Sequence, residues 1–258
     1  MGEFYKEKNR NSIGILSDIG NTRDVNEDYV GFFSNEEISI YIVADGMGGH
    51  NAGDVASKIA VESCIEYIKN LEILSNLQED FRKAICYANK IVYETSISSN
   101  NLNGMGTTIT ACLIKDNNAI IANVGDSSCY IINDNSIKKV TKDHSLVQEL
   151  VDDGSISEEE ALKHPNKNII TRALGTKESV EVDIYKIDLD SKNKFLLCTD
   201  GLTNEISKEE IYDIIINNNN KDASKYLVEL SKEKGGRDNI SVIVFEGECK
   251  NDRYYSRK

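Results

Sequence analysis

Short apolar runs that are typical of β-strands recur along the whole chain, and they constrain the fold more than any other feature. Each run is rich in β-branched or aromatic residues and is bounded by turn residues. The predicted strands are 29–33, 38–44, 107–114, 119–124, 129–132, 180–187, 194–199 and 240–245. The tetrapeptide Lys115-Asp116-Asn117-Asn118, which joins two of them, predicts a hairpin turn.

Helical patterns fall between these runs of strands, and they come in pairs. Residues 52–68 and 78–95 repeat apolar side chains at three- and four-residue spacing. Three later segments start with a serine that has Gln or Glu three residues on, the pattern of a helix capping box; they begin at Ser145, Ser157 and Ser207. Because the helices do not alternate with single strands, the order predicts an α+β fold with antiparallel sheets rather than a doubly wound parallel sheet.

The domain organisation is simple, because no repeat, linker or composition change interrupts residues 12–247. We predict one domain over that range, with an N-terminal lead at 1–11 and a polar tail at 248–258. No apolar run approaches the roughly 20 residues that a membrane span needs. The six cysteines lie far apart, so reduced thiols and a cytoplasmic location are expected.

The net charge is −13, from 43 acidic and 30 basic residues. This surplus argues against nucleic-acid partners, which require a basic surface, and against docking on an anionic membrane. Most of the acids are expected to be solvated. The sharper hypothesis is that some of them are gathered to bind cations.

Acidic residues stand at the ends of four predicted strands. Asp45 and Asp200 each follow a strand and precede a glycine, whereas Asp238 precedes a strand, as do Glu27 and Asp28. An antiparallel sandwich can bring these four ends to one edge. Clustered carboxylates repel one another unless cations are present, and oxygen ligands suit Mg²⁺ or Mn²⁺. Taken singly, an Asp-Gly pair after a strand is usually just a turn.

A basic residue, Arg23, lies just before the acids at 24, 27 and 28. Its forked donors match the oxygens of a phosphate group, so we expect it to bind a phosphorylated ligand. A surface ion pair is the alternative.

Six short motifs occur in a fixed order between about Ser12 and Gly247. They are Arg23-x-x-Asn26-Glu27-Asp28, Val43-Ala44-Asp45-Gly46-Met47-Gly48-Gly49-His50, Met105-Gly106-Thr107-Thr108, Asn123-Val124-Gly125-Asp126-Ser127, Thr199-Asp200-Gly201 and Arg237-Asp238-Asn239-Ile240. In this order they resemble the motifs of the metal-dependent serine/threonine phosphatases of the protein phosphatase 2C family, in particular its compact bacterial members.

The resemblance implies two antiparallel sheets sandwiched between pairs of helices (α-β-β-α), with a binuclear metal site at one edge. By motif, Asp45 would bridge two Mn²⁺ or Mg²⁺ ions and the Gly46 carbonyl would bind one of them. Asp200 and Asp238 would hold the other ion. Asp126 would help to bind a third, weaker ion together with Asp200.

The resemblance also implies hydrolysis of phosphoserine and phosphothreonine in proteins by a water that bridges the two ions. Arg23 would clamp the phosphate, and Glu27 and Asp28 would orient water held by the ions. Asn239 would support the Asp238 end of the site. Residues 145–170 would form the family's variable flap, which could select substrates or could be an ordinary pair of surface helices.

The sequence departs from the family pattern at two positions. Met47 stands where some members have a histidine, and Ser128 replaces a common arginine; His50 is expected to be a packing or turn residue. Phosphoproteins are the expected partners, in particular a serine/threonine kinase and its targets, and a monomer is expected. The alternatives are an inactive pseudophosphatase that serves as a binding module and a structural cation-binding protein.

Overall fold

The computed structural model describes residues 13–48, 52–189 and 193–247. The predicted lead at 1–11, the tail at 248–258 and His50 lie outside these ranges. No helix in the described part of the chain has both the length and the hydrophobicity that a membrane span requires.

The described residues contain eleven strands. They are β1 (Ile13–Asp18), β2 (Asp28–Ser34), β3 (Ile38–Met47), β4 (Gly106–Thr107), β5 (Ile109–Lys115), β6 (Asn118–Val124), β7 (Ser128–Asn133), β8 (Ser136–Lys139), β9 (Asp183–Asp188), β10 (Lys194–Cys198) and β11 (Ile240–Glu246). The helices are α1 (Gly53–Lys69), α2 (Leu77–Ser98), α3 (Leu146–Asp152), α4 (Glu158–Lys163), α5 (Asp200–Thr203), α6 (Lys208–Asn217) and α7 (Asn220–Glu233), with a 3₁₀ turn at Asn100–Leu102.

The strands form two antiparallel sheets. One has the order β1-β11-β10-β7-β8; the other has the order β2-β3-β5-β6-β9, with β4 paired to β3. Both sheets bury one face against the other, where the rings of Tyr41 and Phe245 stack with centroids 3.8 Å apart. Helices α1 and α2 cover the outer face of the second sheet, and α6 and α7 cover the first. The predicted α-β-β-α sandwich of antiparallel sheets is therefore confirmed.

Two sequence predictions of strand length are wrong. The run 107–114 is divided into β4 and β5, because the backbone and side chain of Thr108 bond to Asp45 instead of continuing a ladder. The strand predicted from residue 180 begins only at Asp183, where pairing with Asn123 starts.

The capping-box prediction holds in full at two of its three positions. Ser157 and Ser207 each exchange two hydrogen bonds with a glutamate three residues on. Ser145 caps α3 through the Gln148 N–H, but the Gln148 side chain donates to Asp152 instead of returning to the cap.

Several strand ends meet at one edge of the sandwich. Asp28 begins β2 and lies opposite Asp45 near the end of β3. Asp200 opens α5 directly after β10, Asp238 lies two residues before β11, and Asp126 lies two residues after β6. The fold thus places acids that are distant in sequence at the same edge.

Candidate metal centre

Asp45 is held by its backbone. Its N–H donates to the hydroxyl of Thr108 at 2.9 Å, and its carbonyl accepts from the Thr108 N–H and the Thr107 hydroxyl, each at 2.9 Å. The Thr108 hydroxyl also bonds to that of Ser127 at 2.8 Å, next to Asp126. The Asp45 backbone is held by these contacts, so its carboxylate remains available to bind another group.

Gly46 lies where β3 meets the start of α1. Its N–H donates to the Glu27 carbonyl at 3.1 Å, and a methyl group on Gly46 would lie 2.1 Å from the carbonyl oxygen of Gly53. The Glu27 carboxylate accepts from the Gly53 N–H at 3.2 Å, at the positive end of the helix dipole. The structure therefore gives Glu27 a role at the α1 terminus that the sequence analysis did not predict.

Asp200 is fixed by the short helix that it opens. Its Oδ2 accepts from the side-chain amide of Asn204 at 2.9 Å, four residues later. The Asn204 oxygen in turn accepts from Lys167 Nζ at 2.7 Å, so the far end of the predicted flap contacts the support of Asp200. The next residue, Gly201, has no room for a side chain, because a methyl group there would lie 2.0 Å from the Asn239 carbonyl.

Asp238 is paired with Arg23. Nη2 of Arg23 donates to Oδ2 of Asp238 at 2.9 Å, and the Asn239 N–H donates to its Oδ1 at the same distance. About half of the Arg23 side chain is exposed, and its guanidinium also lies near Asp45 and Glu27. Arg23 therefore borders the acidic cluster and faces solvent.

The side chain of Asn239 ties the Arg23 loop to this edge. Its oxygen accepts from the Glu27 N–H at 2.9 Å, and its amide donates to the carbonyls of Ile19 and Val25, each at 3.0 Å. The loop that carries Arg23 is thus fastened at three points.

Asp126 is a buried aspartate on the turn after β6. It follows Gly125, whose φ of +107° lies in the left-handed region that favours glycine. It is 8% exposed, and it lies close enough to Asp200 and Asp45 for their charges to act on one another.

The carboxyl groups raise one another's pKa values. Burial, the largest cause, raises the pKa of Asp28 to about 7, with the charges of Asp200 and Asp238 adding to the effect while the Thr199 hydroxyl, 2.9 Å from Oδ2, opposes it. Burial and the Asp238 charge raise the pKa of Asp200 to about 6. The pKa of Asp45 is raised well above its usual range by burial and by Asp28, Asp200 and Asp126.

Three of these side chains have a buried carboxylate oxygen that no donor among the described residues reaches when the acids are ionised: Oδ1 of Asp28, Asp126 and Asp200. The Asp45 and Asp200 carboxyl groups lie close enough to share a proton. Gathering unpaired buried carboxylate oxygens is costly unless cations neutralise them. The donor set is oxygen only and fits Mg²⁺ or Mn²⁺.

Within the described ranges, no group of three or more His, Cys, Asp and Glu side chains is arranged so that it could hold a metal ion by itself as it stands. A hard ion at this edge would need additional oxygen ligands from water, which Mg²⁺ usually retains. The donor set therefore fits an ion that keeps part of its hydration shell.

The sequence analysis missed the polar side chains that support the acids. Asn204 could have been found from its i+4 spacing to Asp200 in a short helix, and Thr199 from its place beside Asp200 in the same motif. Ser127 has the same kind of signal, because it lies beside Asp126 in its motif, whereas the contact of Lys167 with Asn204 has none, because it depends on how two distant segments cross.

Known proteins resemble this chain over most of its length. The sequence profile of the family described as protein phosphatase 2C matches residues 21–232. The chain is 41% identical over 235 residues to a serine/threonine phosphatase, stp, of Listeria welshimeri, covering 89% of this chain and 93% of that protein.

Two solved structures extend the similarity to the fold. The serine/threonine phosphatase Stp1 from Staphylococcus aureus matches with a TM-score of 0.87 and 33% identity, covering 96% of this chain and 99% of that one. The catalytic domain of the serine/threonine protein phosphatase PstP, in complex with two manganese ions, matches with a TM-score of 0.81 and 32% identity over 91% of this chain and 96% of that one. The chain therefore belongs to the protein phosphatase 2C family.

Proposed function

We propose that the protein removes phosphate from phosphoserine and phosphothreonine in proteins, in a reaction that depends on Mn²⁺ or Mg²⁺. The observation that carries the proposal is the cluster of buried, unpaired carboxylate oxygens beside a half-exposed arginine, Arg23. Relatives that are named serine/threonine phosphatases, and one that was solved with two manganese ions, support it. A purely structural cation site would have no use for a phosphate-binding arginine.

The proposed ligands follow from the residues at the edge. Asp45 would contact both ions, with the Gly46 carbonyl on one of them and Asp200 and Asp238 on the other. Asp126 would bind a third, weaker ion together with Asp200. The ions would supply a water that is acidic enough to act as a nucleophile near neutral pH, and positive charge for the phosphoryl oxygens.

The other residues would bind and orient. Arg23, which now donates to Asp238, would turn its donors to the phosphate oxygens and hold phosphorus in line with the attacking water. Asp28, fixed by Thr199, would accept a hydrogen bond from that water and set its direction. Glu27, fixed on the α1 terminus, would orient a neighbouring water. Because Met47 follows Gly46, we propose that water and not a side chain at position 47 protonates the leaving oxygen.

We further propose that the protein works as a monomer in the cytoplasm against a serine/threonine kinase and its targets. The five cysteines of the described chain are free thiols, and four of them are buried, which suits a reducing compartment.

The test is phosphate release from a phosphothreonine peptide. Turnover is expected with Mn²⁺ or Mg²⁺, none is expected in EDTA, and Asp45→Asn should abolish it. Asp213→Asn, an exposed change on α6, is the control and should turn over like the wild type. Full turnover in EDTA would rule out the metal mechanism, whereas metal binding without turnover of any phosphopeptide would favour the binding module.

A further inference from the structure

His144 is a buried histidine outside the proposed ligand set. It is 8% exposed, and it exchanges two hydrogen bonds with Gly125, the residue before Asp126. The Gly125 N–H donates to Nδ1 of the ring at 3.0 Å, and the His144 N–H donates to the Gly125 carbonyl at 2.9 Å. The ring thus holds the peptide unit before Gly125, and the His144 backbone holds the one that leads into Asp126.

The far side of the ring is held as well. Because Nδ1 accepts, the proton of a neutral imidazole must lie on Nε2, which is 3.2 Å from Oδ2 of Asp183. Arg172 donates to Oδ1 of the same aspartate at 2.8 Å and lies 3.0 Å from Nε2. Asp183 thus fixes the tautomer that lets Nδ1 accept from Gly125.

The backbone at His144 also lies where the two ends of the flap segment, 145–170, come together. Its carbonyl accepts from the Thr171 N–H at 2.8 Å, and the next residue, Ser145, pairs with Ile170. The ring and the backbone of one residue therefore join the two ends of the segment 145–170 to the Asp126 turn.

The Asp126 turn needs such support. Gly125 has a φ of +107°, and Oδ1 of Asp126 is buried without a donor among the described residues. Burial, the largest cause, and the charge of Asp200 raise the pKa of Asp126, so the two carboxyl groups repel each other when both are ionised. A restrained backbone opposes this repulsion.

We propose that His144 is a positioning residue that holds the Asp126 carboxylate towards Asp200 and so sets the affinity of this end of the site for its cation. The proposal rests on the proposed function, because it assumes that the site takes Mn²⁺. It assigns the ring no contact with substrate.

The test compares Mn²⁺ binding, by calorimetry and by the free-ion signal in electron paramagnetic resonance, in three variants. His144→Asn keeps an acceptor at the position of Nδ1, His144→Gln moves it to the position of Nε2, and His144→Ala removes it. The weakest Mn²⁺ site should lose affinity about tenfold in the Ala and Gln variants, as is typical when a group supporting a metal ligand is removed. The Asn variant should retain most of it.

Asp213→Asn, the exposed change on α6, serves as the control here as well. It should bind Mn²⁺ like the wild type. Should His144→Ala fail to fold, the Asn and Gln variants, which have polar side chains that differ by one methylene, decide the matter.

The outcomes separate the two proposals. Equal Mn²⁺ affinity in His144→Asn and His144→Gln, whether retained or lost, would overturn the role of the Nδ1 acceptor. Wild-type protein that binds no Mn²⁺ and hydrolyses no phosphopeptide would instead overturn the proposed function.

Discussion

Asp200 is expected to have opposite effects on stability and on metal binding. Its Oδ1 is buried without a donor when the acids are ionised, and burial together with Asp238 raises its pKa from 3.8 to about 6. At about 1.4 kcal/mol per pH unit, this shift corresponds to a cost on the order of 3 kcal/mol at neutral pH in the absence of a cation. The ionised residue is therefore costly for the metal-free fold, and we propose that a bound ion would offset this cost.

Asp200→Asn should consequently stabilise the metal-free protein. Removing the charge relieves repulsion, while the amide oxygen still accepts from Asn204. We expect the free energy of unfolding in EDTA at pH 7.5 to rise by about 1–3 kcal/mol and the melting temperature by several degrees. The same variant should lose Mn²⁺ affinity and turnover together. A lower melting temperature in EDTA, with Asp213→Asn unchanged as the control, would contradict this account.

Arg23 is a single residue whose guanidinium both contacts a proposed ligand and faces solvent. Arg23→Ala should raise KM for a phosphothreonine peptide roughly tenfold or more, the typical effect of losing a hydrogen bond to a charged group. Mn²⁺ affinity should change little, and Arg23→Lys should restore only part of the loss, since a lysine lacks the forked donors.

Arg237→Ala serves as the control for Arg23→Ala, because Arg237 pairs through two nitrogens with Glu205. Its KM should remain near the wild-type value. Unchanged KM in Arg23→Ala would show that the phosphate binds elsewhere.

At the scale of elements, the contact between β3 and α1 decides how closely the site can be assembled. A methyl group on Gly46 would lie 2.1 Å from the Gly53 carbonyl oxygen and 2.5 Å from that of Glu27. All three are backbone groups at the start or end of an element, and none can move without displacing a proposed site residue.

Gly46→Ala should therefore destabilise the protein by about 3 kcal/mol or more, as measured by urea unfolding. Gly48→Ala is the matched comparison, because the nearest atom to its added methyl group would be 3.3 Å away. We expect a much smaller loss for it. Equal stability of the two variants would show that the β3–α1 contact yields easily.

The elements also show how far the sequence could predict this fold. The eight predicted strand runs correspond to strands of the structure, because buried strands such as β3 and β10 form apolar runs bounded by turns. The sequence analysis did not predict β1 and β8, which lie at the two ends of one sheet. The exposed positions of β8 have no apolar pattern to detect.

The helices and the site residues were likewise predicted only in part. The apolar spacing predicted α1 and α2 to within a few residues, but α7 was not predicted, because polar residues dominate its sequence. The acids could be assigned to one edge because each stands at a strand end. Their supports, such as Lys167 on Asn204, could not, since nothing in the local sequence indicates which distant segment crosses there.

For the whole molecule, the net charge of −13 says little about the substrate. Five of the acids, Asp28, Asp45, Asp126, Asp200 and Asp238, act on one another at one edge, and Glu27 borders them. Cations bound there would neutralise much of this negative charge and, with Arg23, attract a phosphate group. The local charge of the site, and not the total charge, decides which ligand is attracted.

This cluster makes the stability of the molecule depend jointly on pH and metal. In the metal-free fold, the pKa values of Asp28, at about 7, and Asp200, at about 6, lie above the value of 3.8 in the unfolded chain. The folded state then binds more protons between pH 4 and 7, so these groups lower stability as the pH rises through that window. Metal binding has the opposite dependence, because the ligands must be deprotonated.

The increase in melting temperature that Mn²⁺ produces should therefore be larger at pH 7.5 than at pH 5.5. An ion at 100 times its dissociation constant stabilises the fold by about 2.7 kcal/mol per site. Taking the difference between Mn²⁺ and EDTA at each pH cancels the contribution of titrating groups that do not act on the site. Calorimetric melting of the wild type and of Asp200→Asn, with Mn²⁺ and with EDTA, measures this difference in melting temperature. Asp200→Asn should show only a small Mn²⁺ effect at either pH, because one of the carboxylates that change protonation is gone. An equal Mn²⁺ effect at both pH values in the wild type would mean that the cluster does not bind the ion.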